Sequence, residues 1–285
     1  MSALLQDVMK FVDSETYEII RISEIHNDGE IETLDREKTN FCQNIYSGAK
    51  AFAMTAVGIL YDQGAVKPED KICDIFADEL PAGMDERWAL ATVDMALRHR
   101  LGIPGGFLDI DCHPVSEFGQ DFLKYMFTYP LAYTPGEQER YADGSTYMVS
   151  RIVSKLTGEK LDDFLWRTLL WKMGFQEMAW SHCPMGYPIG ATGLYVNSCD
   201  VVKIPYLYLK DGVYRGERLL SEAWVKMTLE REYTFEWDIT GRWFFKGGMY
   251  GQKMMGLPYQ NRAVAFQAYG ANSDRVARFI ASYEN

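Results

Sequence analysis

Strand patterns stand at both ends of this 285-residue chain, with helical patterns between them. A sheet that must draw on both ends of a chain leaves few architectures open. Near the start, Tyr17-Glu18-Ile19-Ile20-Arg21-Ile22 and a return segment near Ile31 read as two strands, with Asn27-Asp28-Gly29 as the hairpin turn. Near the end, short aromatic and β-branched runs at 243–246, 251–257 and 262–269 predict further strands. Residues 2–13 place Leu4, Leu5, Val8, Met9 and Val12 at helical spacing, and residues 272–283 put Val276, Phe279 and Ile280 on one helix face. From Ser47 to about Tyr61 the pattern is strongly helical, and Asp62-Gln63-Gly64 stops it. The middle third, 65–187, is mostly helical in pattern, broken at 102–106 and at Thr134-Pro135-Gly136. The expected class is α+β, one sheet built from both termini with a helical insertion.

Composition narrows the function. With 47% hydrophobic and 24% charged residues and only 10 prolines, the chain is neither disordered nor collagen-like. Forty acidic against 29 basic side chains give a formal charge of −11, which repels nucleic-acid phosphates and anionic membranes, so neither is an expected partner. The start of the chain lacks a basic segment followed by an apolar core. The longest apolar run, Ala51 to Tyr61, falls short of the ~20 residues of a membrane helix. Five cysteines with no CxxC pair read as reduced thiols, and a cytoplasmic location is expected.

Ser47-Gly48-Ala49-Lys50 opens the best helix, and its i, i+3 spacing puts Ser47 and Lys50 on one face. A serine hydroxyl needs an adjacent base, which a lysine supplies when burial or a neighbouring cation lowers its pKa. The helix N-terminus suits an oxyanion forming at the serine. Read alone, Ser47 is an N-cap and Lys50 a solvated first-turn residue. Two other segments supply context. Tyr141-Ala142-Asp143 follows a turn and precedes a helix ending at Leu156-Thr157-Gly158; a tyrosine in such a loop could place a phenolic oxygen beside a serine as proton acceptor and donor, while read alone it is core or surface packing. Lys246-Gly247-Gly248-Met249-Tyr250-Gly251 closes one strand and opens the next, and its glycines let a backbone N–H approach a substrate carbonyl.

Together these segments resemble the serine β-lactamase and penicillin-binding-protein superfamily, most closely the branch of class C enzymes and related esterases. That family carries S-x-x-K, then Y-x-N or S-x-N, then K-[ST]-G or a variant, in that order. The likeness runs from about residue 45 to 282. It includes Thr92 to His99, similar to a stretch usually ending in His-Thr-Ser-Gly, and Ala191 to Val225 ahead of the third motif. The resemblance implies an antiparallel sheet flanked by helices, with an inserted helical domain. Residues 1–64 and 188–285 would form the sheet domain and 65–187 the helical one, with the active site between them. It also implies Ser47 as acylated nucleophile, with Lys50 and Tyr141 sharing the proton traffic. The oxyanion hole would be the N–H groups of Ser47 and Met249. Lys246 would line the substrate's anionic side, and Asp143, Gly247 and Gly248 would complete the substrate contacts. No metal and no organic cofactor is expected. Trp243 and Tyr250 flank the third motif and are further candidates for lining the site.

Three departures from the family pattern set the expected specificity. Asp143 stands where asparagine is usual, and an ionised aspartate only accepts hydrogen bonds where an amide both donates and accepts. Beside Lys50 a carboxylate would favour the ammonium form and shift the base role to Tyr141. It also removes the donor that would hold the amide of a β-lactam or peptide. Gly247 replaces a hydroxyl residue, which removes one carboxylate contact. After His99 the chain reads Arg100-Leu101-Gly102 instead of a polar run.

The expected function is an acyl-enzyme serine hydrolase on a small ester or amide, with carboxylesterase activity preferred. Amidase, D-aminopeptidase or weak β-lactamase activity is the alternative within the same chemistry. A catalytically inactive ligand-binding or scaffold protein is the alternative of another class. A homodimer is expected only from the general frequency of symmetric assemblies. Asp109-Ile110-Asp111-Cys112-His113 gathers four potential metal ligands but reads as a surface loop, with no second His or Cys cluster to support it. His26, His99 and His182 each stand alone, there is no G-x-S-x-G elbow, and no glycine-rich nucleotide loop is present.

Overall fold

A computed structural model describes residues 2–37 and 40–283. The elements that bear on the site are α1 (Ala3–Ser14), β1 (Ile19–His26), β2 (Glu32–Asp35), α2 (Ala49–Asp62), α3 (Val93–Leu97), α4 (Asp143–Thr157), β3 (Glu236–Trp237), β4 (Phe244–Gly248), β5 (Gln252–Leu257), β6 (Arg262–Ala268) and α5 (Ser273–Ala281). The chain divides into two compact units. One comprises Met1–Ala51, Leu170–Ala179 and Leu194–Asn285, and the other Phe52–Leu169 and Trp180–Gly193. Among the described residues no helix is long and apolar enough to cross a membrane.

The first unit holds a six-stranded sheet in the order β2-β1-β6-β5-β4-β3. Each neighbouring pair is antiparallel, so the α+β expectation of one sheet built from both ends of the chain is borne out. The N-terminal and C-terminal segments meet where β1 pairs with β6, with Ile22 opposite Phe266. The hairpin turn forms where it was expected. Asn27 and Asp28 both take positive φ, at 50° and 60°, as a two-residue turn matched to strand twist requires.

One sheet face is covered by α1 and α5. The Ser2 side chain caps α1 by accepting from the Leu5 N–H, and its stripe of Leu4, Leu5, Val8, Met9 and Val12 is buried. Asn272 caps α5 in the same way, and Val276, Ala277 and Ile280 turn inward. These side chains form one core with Ile19, Ile22, Met255, Val264 and Phe266 of the sheet. Phe279 packs at its rim, its ring stacked on Phe11 at 4.5 Å.

The second unit is organised around α4, in which every residue from Asp143 to Ser154 is buried. Trp88, Phe76, Phe122, Phe127 and Tyr147 supply fully buried aromatic bulk. Its helical content is lower than the sequence pattern suggests. Between Arg98 and Ala142 the chain runs through turns, with short helical pieces at Val115–Phe118 and Phe122–Thr128. Positive φ at Gly102, Gly106, Gly119 and Gly136 marks where helical periodicity yields to turn geometry.

Charge is also buried beneath α5. Lys253 of β5 has a side chain only 3% exposed, and its ammonium donates to Asp274 at 2.5 Å. That hydrogen bond holds the Asp274 carboxyl below the usual carboxylate range. A depressed acid pKa contributes stability above the unfolded-state value and loses it as pH falls through the folded-state value. Asp274→Asn should therefore cost about 1 kcal/mol at neutral pH, at the low end for a broken pair because Asp274 is largely exposed. Urea melts at pH 7 and again well below pH ~4 should show that difference shrinking with acidification.

Candidate active site

In the first unit, Ser47 sits at the centre of a 3₁₀ turn, Tyr46–Gly48, immediately ahead of α2. Backbone bonds hold the turn in place: the Ile45 N–H donates to the Leu194 carbonyl and the Gly48 N–H to the Ile45 carbonyl, both at 2.9 Å. The Tyr46 N–H donates to Asn44 Oδ1 at 2.8 Å, and Tyr46 takes a left-handed φ of 48°. Lys50, one helical turn on, is fully buried. Its Nζ donates to Ser47 Oγ at 3.1 Å, so the i, i+3 expectation becomes a direct contact. A hydroxyl and an amine at this distance can exchange a proton in either direction.

The end of β4 closes on this turn. A Cβ at Gly248 would lie 2.2 Å from the Ile45 carbonyl oxygen, and one at Gly48 would lie 3.2 Å from Met254 Cε of β5. Only glycine permits so close an approach of β4 to the turn that carries Ser47. Strand alternation then sorts the third motif by face. Lys246 and Gly248 border a small hollow with Ile45 and Gly48. Trp243 faces the other way and belongs to the core under α1 and α5, with Phe245 packed beside it. That placement removes Trp243 from the candidate site. Gly247 also turns toward that face, where its missing Cβ would approach Lys253 Cε at 3.8 Å.

Lys246 is not simply presented to solvent. Its side chain is 6% exposed, and its Nζ meets Glu236 Oε1 of β3 at 3.2 Å. Beyond the strand, Met249 and Tyr250 are exposed, and Tyr250 has a φ of 59°. The Gly270 N–H anchors this corner by donating to the Tyr250 carbonyl at 2.8 Å.

In the second unit, Tyr141 lies in a loop before α4 with its side chain exposed. His99, which the sequence presents as an isolated histidine, stands against it with ring centroids 4.6 Å apart. The His99 carbonyl accepts from the Arg140 N–H at 2.8 Å, and its Nδ1 lies 3.3 Å from the Ala142 N–H and 3.2 Å from the Ala142 carbonyl. His99 thus grips the residues on both sides of Tyr141. It reaches this position in a left-handed conformation, φ 53°, just past α3.

Asp143 opens α4 and is buried. Asp109 and Asp111 join it, the three carboxylates offering oxygens within 4.8 Å of one another. Thr192 Oγ1 donates to Asp111 Oδ2 at 2.5 Å, and the Asp111 N–H donates to Asp109 Oδ1 at 3.1 Å. The Cys112 thiol is pushed up by its hydrogen bond to Asp109 and by the charges around it. The 109–113 segment therefore gains a partner in Asp143 that its own spacing could not reveal.

With this geometry in view, comparison with known proteins gives the class. The family described as Beta-lactamase matches residues 36–282, and the chain belongs to that family, whose members are generally hydrolases. The structural likeness is close while sequence likeness is low. A Bacillus anthracis protein named as a candidate 6-aminohexanoate-dimer hydrolase superposes with a TM-score of 0.78 at 15% identity, covering 95% of this chain and 79% of that one. A penicillin-binding-protein homologue from Caulobacter crescentus gives 0.75 at 14% identity, over 98% of this chain and 95% of its own. EstCE1, a hydrolase with promiscuous acyltransferase activity, gives 0.72 at 14% identity, over 98% and 96%. No curated protein sequence matches the chain.

The glycine requirement at the β4 end makes a direct prediction. Gly248→Ala should lower stability by about 2 kcal/mol through overpacking against the Ile45 carbonyl. Gly247→Ala, whose new methyl meets nothing closer than 3.8 Å, should be tolerated. Thermal melts of the two variants beside the parent protein read the difference.

Proposed function

We propose that this chain is a serine hydrolase that forms an acyl-enzyme at Ser47 on a small, uncharged ester, a carboxylesterase-type activity. The observation that carries the proposal is the 3.1 Å contact between Ser47 Oγ and the Nζ of the fully buried Lys50. In the proposed reaction Ser47 Oγ attacks the ester carbonyl and gives up its proton to Lys50. The C–O bond to the alcohol then breaks, and the leaving oxygen takes that proton. Water repeats the sequence on the acyl-enzyme, releasing the acid and restoring the serine. The backbone N–H groups of Ser47 and Met249 are proposed to stabilise the oxyanion, a role supported by the close approach of the β4 end to the Ile45–Gly48 turn.

Preference for an uncharged ester is supported by two features. Lys246 is paired with Glu236, so its charge is already met by a carboxylate. Asp143 and its neighbouring carboxylates supply acceptors where the family's asparagine supplies a donor.

Treatment with a fluorophosphonate should add one adduct by intact mass, absent in Ser47→Ala. A folded protein that takes no adduct would favour the inactive, ligand-binding alternative. In Glu236→Gln, kcat/KM for a carboxylate-bearing ester such as a hemisuccinate should rise about tenfold relative to its neutral counterpart. An unchanged ratio would remove Lys246 from substrate recognition.

A further inference from the structure

The proposed nucleophile and the proposed oxyanion donor each have a tyrosine as chain neighbour, and those two tyrosines touch. Tyr46 precedes Ser47, Tyr250 follows Met249, and their rings meet edge to face at 5.2 Å and 61°. Tyr250 in turn stacks on Tyr269 at 4.8 Å, the ring planes within 13° of parallel. Tyr250 remains 44% exposed and Tyr269 63% exposed. Ring surface is thus left open to solvent by side chains that usually contribute to a core.

Backbone geometry points the same way. Tyr46 and Tyr250 both hold left-handed φ values, 48° and 59°, a region costly for any residue with a Cβ. Glycine or asparagine would occupy such positions with less strain. Retaining a tyrosine at both, in mutual contact, favours a use for the rings themselves. The third ring comes from another segment just beyond β6, so the cluster is not a by-product of one local turn.

We infer that Tyr46, Tyr250 and Tyr269 form a recognition surface for a flat aromatic group of the substrate, making aryl-bearing uncharged esters the preferred class. The inference rests on the serine-hydrolase reading and adds its specificity. Aromatic rings pack on one another in offset-stacked or edge-to-face arrangements, and the exposed tyrosine rings allow a substrate ring to extend the cluster. A carboxylate-bearing substrate gains nothing from these rings, in keeping with a Lys246 already engaged by Glu236.

The test compares two matched ester pairs, methyl phenylacetate with methyl butanoate and phenyl acetate with ethyl acetate. Differences in intrinsic reactivity cancel when variant ratios are divided by parent ratios. Tyr250→Gly, which relieves the left-handed strain, and Tyr269→Ala should each lower the aryl-to-alkyl ratio of kcat/KM about tenfold in at least one pair. Tyr250→Phe should keep it. Ratios unchanged in both pairs, even with lower absolute rates, would overturn the inference. A parallel measurement separates this from failure of the hydrolase reading. In a Ser47→Ala background, calorimetry reads methyl phenylacetate binding without turnover, and adding Tyr250→Gly should weaken it about tenfold. Equal binding with and without Tyr250 would overturn the inference whatever the activity of the parent protein.

Discussion

The antiparallel pairing of β1 with β6 is the constraint from which the rest follows. It joins segments some 240 residues apart in the chain, and it fixes β6 as the template on which β5 and then β4 are laid. Register is enforced by the core beneath, where Ile22, Val264, Phe266 and Met255 share a face with α1 and α5. A slip of one residue would turn those side chains outward. Once β4 is in register, Gly248 falls against the Ile45 carbonyl, and Lys246 borders the same small hollow as Ile45 and Gly48. The geometry around Ser47 therefore depends on a strand pairing made elsewhere in the same sheet.

Within this unit the buried lysines divide the electrostatic work. Lys253 meets Asp274 and Lys246 meets Glu236, so each cation is answered by a carboxylate at the edge of the fold. Lys203 is held by Asp200 at 2.5 Å, with both side chains buried. Lys50 meets a hydroxyl. Under the proposed function, the Lys246–Glu236 pair would make an anionic substrate compete with Glu236 for the lysine.

Much of this was legible in the sequence because it is written in short-range periodicity. The two capped amphipathic helices, the Asn27-Asp28 turn and the terminal strands all follow from patterns within a dozen residues. The Ser47 to Lys50 contact follows from helical spacing alone. What escaped was long-range or depended on parity. His99 reaches the Tyr141 loop across more than 40 positions, through bonds to backbone atoms that no side-chain pattern encodes. Glu236 pairs with Lys246 through a strand too short to be seen in the sequence. Asp143 joins Asp109 and Asp111 only in the folded unit. Trp243 is near Lys246 in sequence, yet an odd offset of three residues along a strand turns it to the opposite face. The left-handed conformation at Tyr46 and Tyr250 had no sequence signature, since tyrosine is not a residue that announces positive φ.

The central claim is that Lys50 activates Ser47 for acylation, and acyl-enzyme trapping tests it most directly. The protein is mixed with a slowly deacylating ester, quenched in acid within milliseconds, digested and analysed by peptide mass. An acyl group on the peptide containing Ser47, formed about 10³-fold more slowly in Lys50→Met, is the expected result. An acyl group on another residue, or one that forms on Ser47 at the same rate without Lys50, would contradict the account.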